Sequence, residues 1–110
     1  MRPLLVLTGG SGLLSLNCAV LLRGQYDVVL LQHKRDVTLV GAVSMKVDLG
    51  LVDAIRDCLE QLKPKVLIHA AGLTDVAYCE KNPSLAHAVN AKIAGVVAEA
   101  CEQTGTKMIH

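Results

Sequence analysis

Leu4-Leu5-Val6-Leu7-Thr8-Gly9-Gly10-Ser11-Gly12-Leu13-Leu14-Ser15 is the stretch that decides how the rest of this chain is read. A short, nearly all-apolar run passes into a glycine-rich turn, and the turn into a leucine-rich segment with helical spacing. That succession predicts a buried strand, a tight turn and a helix. Without a side chain, glycine lets the backbone turn sharply and bring its N–H groups against an anion, while the following helix aims its partly positive N-terminus at the same point. A dinucleotide pyrophosphate suits such a corner. Counted from Gly9 the spacing is Gly9-x-x-Gly12-x-x-Ser15, so a serine stands where a third glycine normally allows close packing of helix on strand. The alternative is a strand-to-helix turn that binds nothing. A phosphate-loop site is disfavoured, because no Gly-Lys-Ser/Thr follows the turn.

Composition points to the same architecture. At 110 residues the chain is one domain, large enough for a core but short for an enzyme that must hold both a dinucleotide and a second substrate. It is 52% hydrophobic yet only 2% aromatic, so its core must be built from Val, Leu, Ile and Ala, as in a parallel sheet covered by helices on both faces. This argues against an all-β sandwich or barrel. The formal net charge is +1 and no basic cluster marks a nucleic-acid footprint, so no nucleic-acid partner is expected. The apolar runs are strand-sized, which predicts no membrane partner, and residues 1 to 15 lack the pattern of a signal peptide, so the expected compartment is the cytoplasm. Cys18, Cys58, Cys79 and Cys101 form no Cys-x-x-Cys pair. They read as small apolar groups rather than as a metal site or a redox dithiol.

Along the chain, the first helix is expected from about Gly12 to Arg23, with Leu13, Leu14, Val20 and Leu21 as its apolar side and Gly24 as its stop. Asp27 to Gln32 reads as the second strand, completing a strand-helix-strand unit of the size of a mononucleotide-binding half. After it comes Gln32-His33-Lys34-Arg35, where a NAD-binding protein usually places an acidic residue for the ribose 2′-hydroxyl. Lys34 and Arg35 suit a 2′-phosphate instead, favouring NADP over NAD; a solvated basic loop is the other reading. Val37 to Val43 fits either a loop or an extra strand, and Met45-Lys46-Val47 a short third strand. Asp48 follows, placed to cap the next helix or to meet the adenine end of a cofactor.

Leu51, Ile55, Leu59 and Leu62 predict a helix over about 51–62 with one apolar stripe, ended by Pro64. Val66 to Gly72 is a buried strand running into small residues, as expected where backbone approaches a ligand. His69, at its end, reads chiefly as a structural hydrogen-bonding group and secondarily as a catalytic imidazole. Asn82-Pro83 opens a long helix whose stripe is Leu85, Val89, Ile93, Val96, Val97 and Ala100, closed by Gly105. Lys107 to His110 starts a fifth strand. The whole predicts an α/β, Rossmann-type doubly wound parallel sheet of order 3-2-1-4-5, its crevice between Gly9–Leu14 and Ala70–Thr74.

Several of these motifs agree with one family. Thr8-Gly9-Gly10-Ser11-Gly12, Asp48-Leu49, the run from Pro64 to Val76, Cys79-Glu80, Pro83 and Ala88-Val89-Asn90-Ala91 resemble the extended short-chain dehydrogenase/reductases, and among them the dTDP-4-dehydrorhamnose reductases. The resemblance covers essentially the whole chain. It implies a pyrophosphate on Gly12, Leu13 and Leu14, an adenine near Asp48 and Leu49, and a ribose and nicotinamide near Gly72, Leu73 and Thr74, with Gly9, Lys34, Arg35, Ala70 and Ala71 completing the expected cofactor-binding residues. Asn90 matches an asparagine of the family's long helix. Ser15 for the third glycine and His69 for a common asparagine are departures.

A larger departure concerns chemistry. The family uses a Ser or Thr after the fifth strand and a Tyr-x-x-x-Lys pair on the next helix, the tyrosine acting as acid or base. Here the residues four beyond Tyr26 and Tyr78 are Leu30 and Asn82. The expectation is therefore a cofactor-binding domain over residues 1 to 110, ending within the fifth strand without the catalytic helix or substrate domain, and inactive alone. In a full-length form the implied reaction is hydride transfer from NADPH to the keto carbon of a nucleotide-linked deoxysugar. Two alternatives are a NAD-dependent nucleotide-sugar epimerase or dehydratase, and a non-catalytic regulatory subunit similar to the beta subunit of methionine adenosyltransferase. An exposed edge at the fifth strand would favour a homodimer.

Overall fold

In the computed structural model, residues 2–10, 12–32, 37–49, 51–70 and 83–109 are described. The elements in chain order are β1 Leu4–Leu7, α1 Leu13–Leu22, β2 Asp27–Gln32, β3 Ala42–Lys46, α2 Val52–Leu62, β4 Val66–Ile68, α3 Pro83–Thr104 and β5 Lys107–Ile109. The strands form one five-stranded sheet in the order β3-β2-β1-β4-β5. Every neighbouring pair is parallel. This is the expected Rossmann-type order. Leu7 stands opposite Leu30 of β2 and Ile68 of β4, so β1 and β4 end level while β2 runs on to Gln32.

Alternation along β1 sends its side chains to two cores. Val6 joins Val29, Leu31 and Leu67 under Ile55, Cys58 and Leu59 of α2 and Val96, Val97, Ala100 and Cys101 of α3. Leu5 and Leu7 join Val28 and Leu30 under Ala19 of α1. Central strands buried on both faces explain the unbroken apolar runs. α3 ends as its sequence predicts: Gly105 takes φ +72°, its N–H donates to the Glu102 carbonyl, and Thr106 N–H donates to that of Cys101. Among the described residues no helix is long and apolar enough to cross a membrane.

Four expectations need correction. In α1 the side formed by Leu13, Leu14, Val20 and Leu21 faces outward, with exposures of 79%, 64%, 47% and 79%. Ser15 and Ala19 are the residues buried instead, with Leu16, Cys18 and Leu22 packed beside them. The cause is size: small side chains let the helix settle close to the sheet, and apolar residues all round it leave no polar face to fix its rotation. Leu51 is not part of the α2 stripe; it precedes the helix and is 57% exposed. β3 begins earlier than Met45, because Gly41 at φ +87° turns the chain into register with Val28 at Ala42. Asp48 is not the N-cap of α2; that place is taken by Leu51, whose side chain makes no capping hydrogen bond. Ile55 and Leu59 are fully buried, as expected, whereas the side chains of Leu85 and Val89 lie outside the described residues.

Candidate functional site

At the carboxyl end of β1 the glycines have distinct physical reasons. Gly9 adopts φ +63°, a left-handed conformation that favours glycine. Gly10 lies so close to β2 that an added Cβ would come within 2.8 Å of Leu30 Cβ and 2.9 Å of its carbonyl carbon. Its own N–H donates to the Leu31 carbonyl at 2.8 Å. Gly12 N–H donates to the Gly9 carbonyl at 2.8 Å, closing the turn, and Gly12 then becomes the N-cap of α1 without a side-chain cap. The first-turn N–H groups of a helix have no partner within the helix. Those of α1, on Leu13 and Leu14, therefore stand at the turn, the kind of helix end at which an anion can be held, while their side chains are exposed.

Ser15 resolves the missing third glycine. It is 1% exposed, and its hydroxyl donates to the Thr8 carbonyl at 2.7 Å, stitching the first turn of α1 to the end of β1. A small residue with one satisfied polar atom replaces glycine there without holding the helix off the strand.

Thr8 performs a second junction. Its Oγ1 accepts the Ala70 N–H at 2.9 Å and lies 2.8 Å from His69 Nδ1. The His69 N–H in turn donates to the Ile109 carbonyl at 2.7 Å. Thr8 and His69 are both buried, so the ends of β1, β4 and β5 are joined through one hydroxyl and one residue. His69 is thus a structural hydrogen-bonding group, the first of its two sequence readings.

β2 ends in a third junction that the sequence did not reveal. Gln32 is 3% exposed; its Nε2 donates to the Gly10 carbonyl at 3.1 Å and the Val37 carbonyl at 2.7 Å, and its Oε1 accepts the Val37 N–H at 3.2 Å. Ser44 Oγ also donates to the Val37 carbonyl, at 2.9 Å. Beside these groups Thr38, Met45 and Lys46 complete a recess of about 240 Å³. A polar residue closing an apolar run was the only sequence signal.

Of the other candidates, Asp48 is exposed just beyond β3, and Leu49 buries its side chain in the α2/α3 core at 8% exposure. Ala70 is half-buried beside Thr8. Asn90 lies half-buried in α3. Lys34, Arg35, Ala71, Gly72, Leu73 and Thr74 lie outside the described residues. Burial pushes the Cys58 and Cys101 thiols above their ordinary value, which keeps both protonated and poorly nucleophilic near neutral pH.

The glycine corner, its uncapped helix and the parallel sheet agree with the family comparison. The sequence model of the RmlD substrate binding domain matches residues 1–110. The chain belongs to that family. Among curated relatives of this RmlD-family chain, the probable low-salt glycan biosynthesis reductase Agl14 of Haloferax volcanii is 29% identical over 103 residues, 94% of this chain and 34% of the relative. The dTDP-4-dehydrorhamnose reductase of Aggregatibacter actinomycetemcomitans is 29% identical over 108 residues, 96% of this chain and 33% of the relative. The RmlD-family chain therefore spans about a third of the length of these relatives.

Solved structures agree. A hypothetical dTDP-4-dehydrorhamnose reductase from Sulfolobus tokodaii superposes with TM-score 0.81 at 27% identity, over 100% of this chain and 38% of that one. At lower identity the fold alone is shared. A dTDP-4-dehydrorhamnose reductase from Bacillus anthracis, solved in complex with NADP, gives TM-score 0.77 at 24% identity over 100% of this chain and 36% of that one. WbmG of Bordetella bronchiseptica, in complex with NAD, gives 0.77 at 17% over 98% and 36%. The resemblance to dTDP-4-dehydrorhamnose reductases read from the motifs is thereby matched by relatives bearing that name.

Proposed function

We propose that these residues form the cofactor-binding part of a nucleotide-sugar reductase, and that the cofactor is a nicotinamide dinucleotide, NADP in preference to NAD. The observation that carries the proposal is the uncapped N-terminus of α1 facing a turn in which Gly9 needs a left-handed backbone and Gly10 admits no side chain. Such a corner fits a pyrophosphate: it supplies backbone N–H donors and a helix dipole of the right sign. Reductase relatives at 29% identity support the reaction class.

In this reading Gly9, Gly12, Leu13 and Leu14 hold the pyrophosphate through their backbone. Lys34 and Arg35 pair with the 2′-phosphate, Asp48 and the backbone of Leu49 border the adenine, and Ala70, Ala71, Gly72 and Thr74 line the ribose and nicotinamide. When bound, the reduced cofactor supplies a hydride to the keto carbon of a nucleotide-linked deoxysugar. The chain's own residues bind and orient; Thr8 keeps the two strand ends that flank the crevice at a fixed spacing. Since neither tyrosine begins a Tyr-x-x-x-Lys pair, the role assigned to these residues is binding without turnover.

Thermal unfolding of the chain in the presence of NADPH, and separately NADH, tests this. A ligand selective for the folded state at 100 times its Kd adds about 2.7 kcal/mol of stability. Both cofactors should raise the midpoint, NADPH further. A folded sample indifferent to both overturns the proposal.

A further inference from the structure

We infer that Gln32 is a positioning residue of the cofactor site, joining the glycine corner to the backbone that resumes after β2. The inference rests on the reading of the corner as a dinucleotide site. Both N–H donors and the carbonyl oxygen of the buried Gln32 amide are engaged. A primary amide offers two donors and one acceptor in a single plane. Here one donor goes to Gly10, the other to the Val37 carbonyl, and the acceptor takes the Val37 N–H.

Two consequences follow from that geometry. Val37 is gripped at both its backbone N–H and its carbonyl, so this contact cannot pivot as a single hydrogen bond can. Val37 is therefore held by the same side chain that holds Gly10, whose N–H is already fixed to Leu31. The separation of the glycine corner from Val37 is set by Gln32. In a Rossmann-type site the pyrophosphate rests on the glycine turn and the 2′ position of the adenosine ribose is met beyond the second strand, so the tie between the two sides bears on both contacts.

Gln32 thus occupies the end of β2, where a side chain would otherwise read the ribose directly, and acts on recognition through backbone. A carboxylate there would keep an acceptor for the Val37 N–H but lose both donors, setting an oxygen against two carbonyls. Gln32→Glu should therefore fail to behave as a NAD-type ribose acceptor.

The test is calorimetric titration of the chain and of Gln32→Glu, Gln32→Met and Ser44→Ala with NADPH, NADH, 2′,5′-ADP and NMNH, below the unfolding midpoint of each variant. Loss of two hydrogen bonds in Gln32→Glu and of all three in Gln32→Met predicts about tenfold weaker binding of NADPH and 2′,5′-ADP to both variants, with NMNH, which lacks the adenosine half, less affected. Ser44→Ala removes only the second donor to Val37 and should shift the same ligands in the same direction by about twofold; if the Gln32 variants fail to fold, this variant decides. A Gln32→Glu chain that gains NADH affinity, or variants that lose midpoint temperature but keep wild-type affinities and ratios, overturn the inference alone. A wild-type chain that binds no cofactor overturns the parent reading and this inference with it.

Discussion

The two faces of the sheet are built by different rules. On one, α2 and α3 bury apolar residues over Val6, Val29, Leu31 and Leu67, and the stripe of α2 stands out against polar residues on its other side. On the other, α1 covers Leu5, Leu7, Val28 and Leu30 with its smallest residues and turns four large apolar side chains outward. Hydrophobicity decides which side of α2 is inside; closeness of approach decides it for α1. The second rule serves the corner. A helix that begins within a turn of a tight strand-to-helix junction must sit low on the sheet, and Ser15 and Ala19 permit that where leucine would not.

The sharpest way to break this contrast is to remove volume from the α2 face. Leu59 is fully buried, and Leu59→Ala should cost about 3 kcal/mol in chemical denaturation, from lost burial plus the cavity left behind. A cost below about 1 kcal/mol would mean that this core collapses around the void and is not close-packed.

The α1 face should fail in the opposite sense, by addition. Ala19 has no exposed surface, and Ala19→Leu should destabilise by about 1–3 kcal/mol through overpacking. A neutral outcome would show that α1 can lift off the sheet, and the low-seated helix would no longer explain the burial of Ser15.

That contrast also explains what was legible. Ile55 and Leu59 recur at helical spacing on a polar background, so the stripe of α2 can be read directly. The order of strands follows from alternating apolar runs and helices, and the corner from Gly9, Gly10 and Gly12. In α1, leucines and valine on every side erase the phase, and size rather than polarity sets it. β3 hid its start because Gly41 interrupts an apolar stretch. Gln32 was invisible as a junction, since its partners are backbone atoms of Gly10 and Val37 and nothing in their side-chain identities announces them.

A smaller effect separates the faces by pH. Cys58 and Cys101 lie in the α2/α3 core, and burial raises both thiols above the ordinary value of 9.0. With the folded pKa above the unfolded one, their contribution to stability is full below the unfolded value and is lost as pH rises through the folded one. Denaturation midpoints should therefore decline above pH 9, and a Cys58→Ala, Cys101→Ala chain should show a flatter decline in that window. Equal slopes would mean that other groups carry the alkaline loss.

The smallest effect tests the outer side of α1. Leu21 is 79% exposed in the last turn of a helix that has no basic residue there. Leu21→Lys removes little buried area and sets a positive charge near the partly negative helix end, where it is worth about 0.3–1 kcal/mol. The leucine's higher helix propensity is matched closely by lysine, so propensity hardly enters. Stability should stay level or rise by a few tenths of a kcal/mol, read as the denaturation midpoint at low ionic strength, with any gain screened away by added salt. A clear loss would place Leu21 in contact with something that holds it, and α1 would then have two packed sides rather than one.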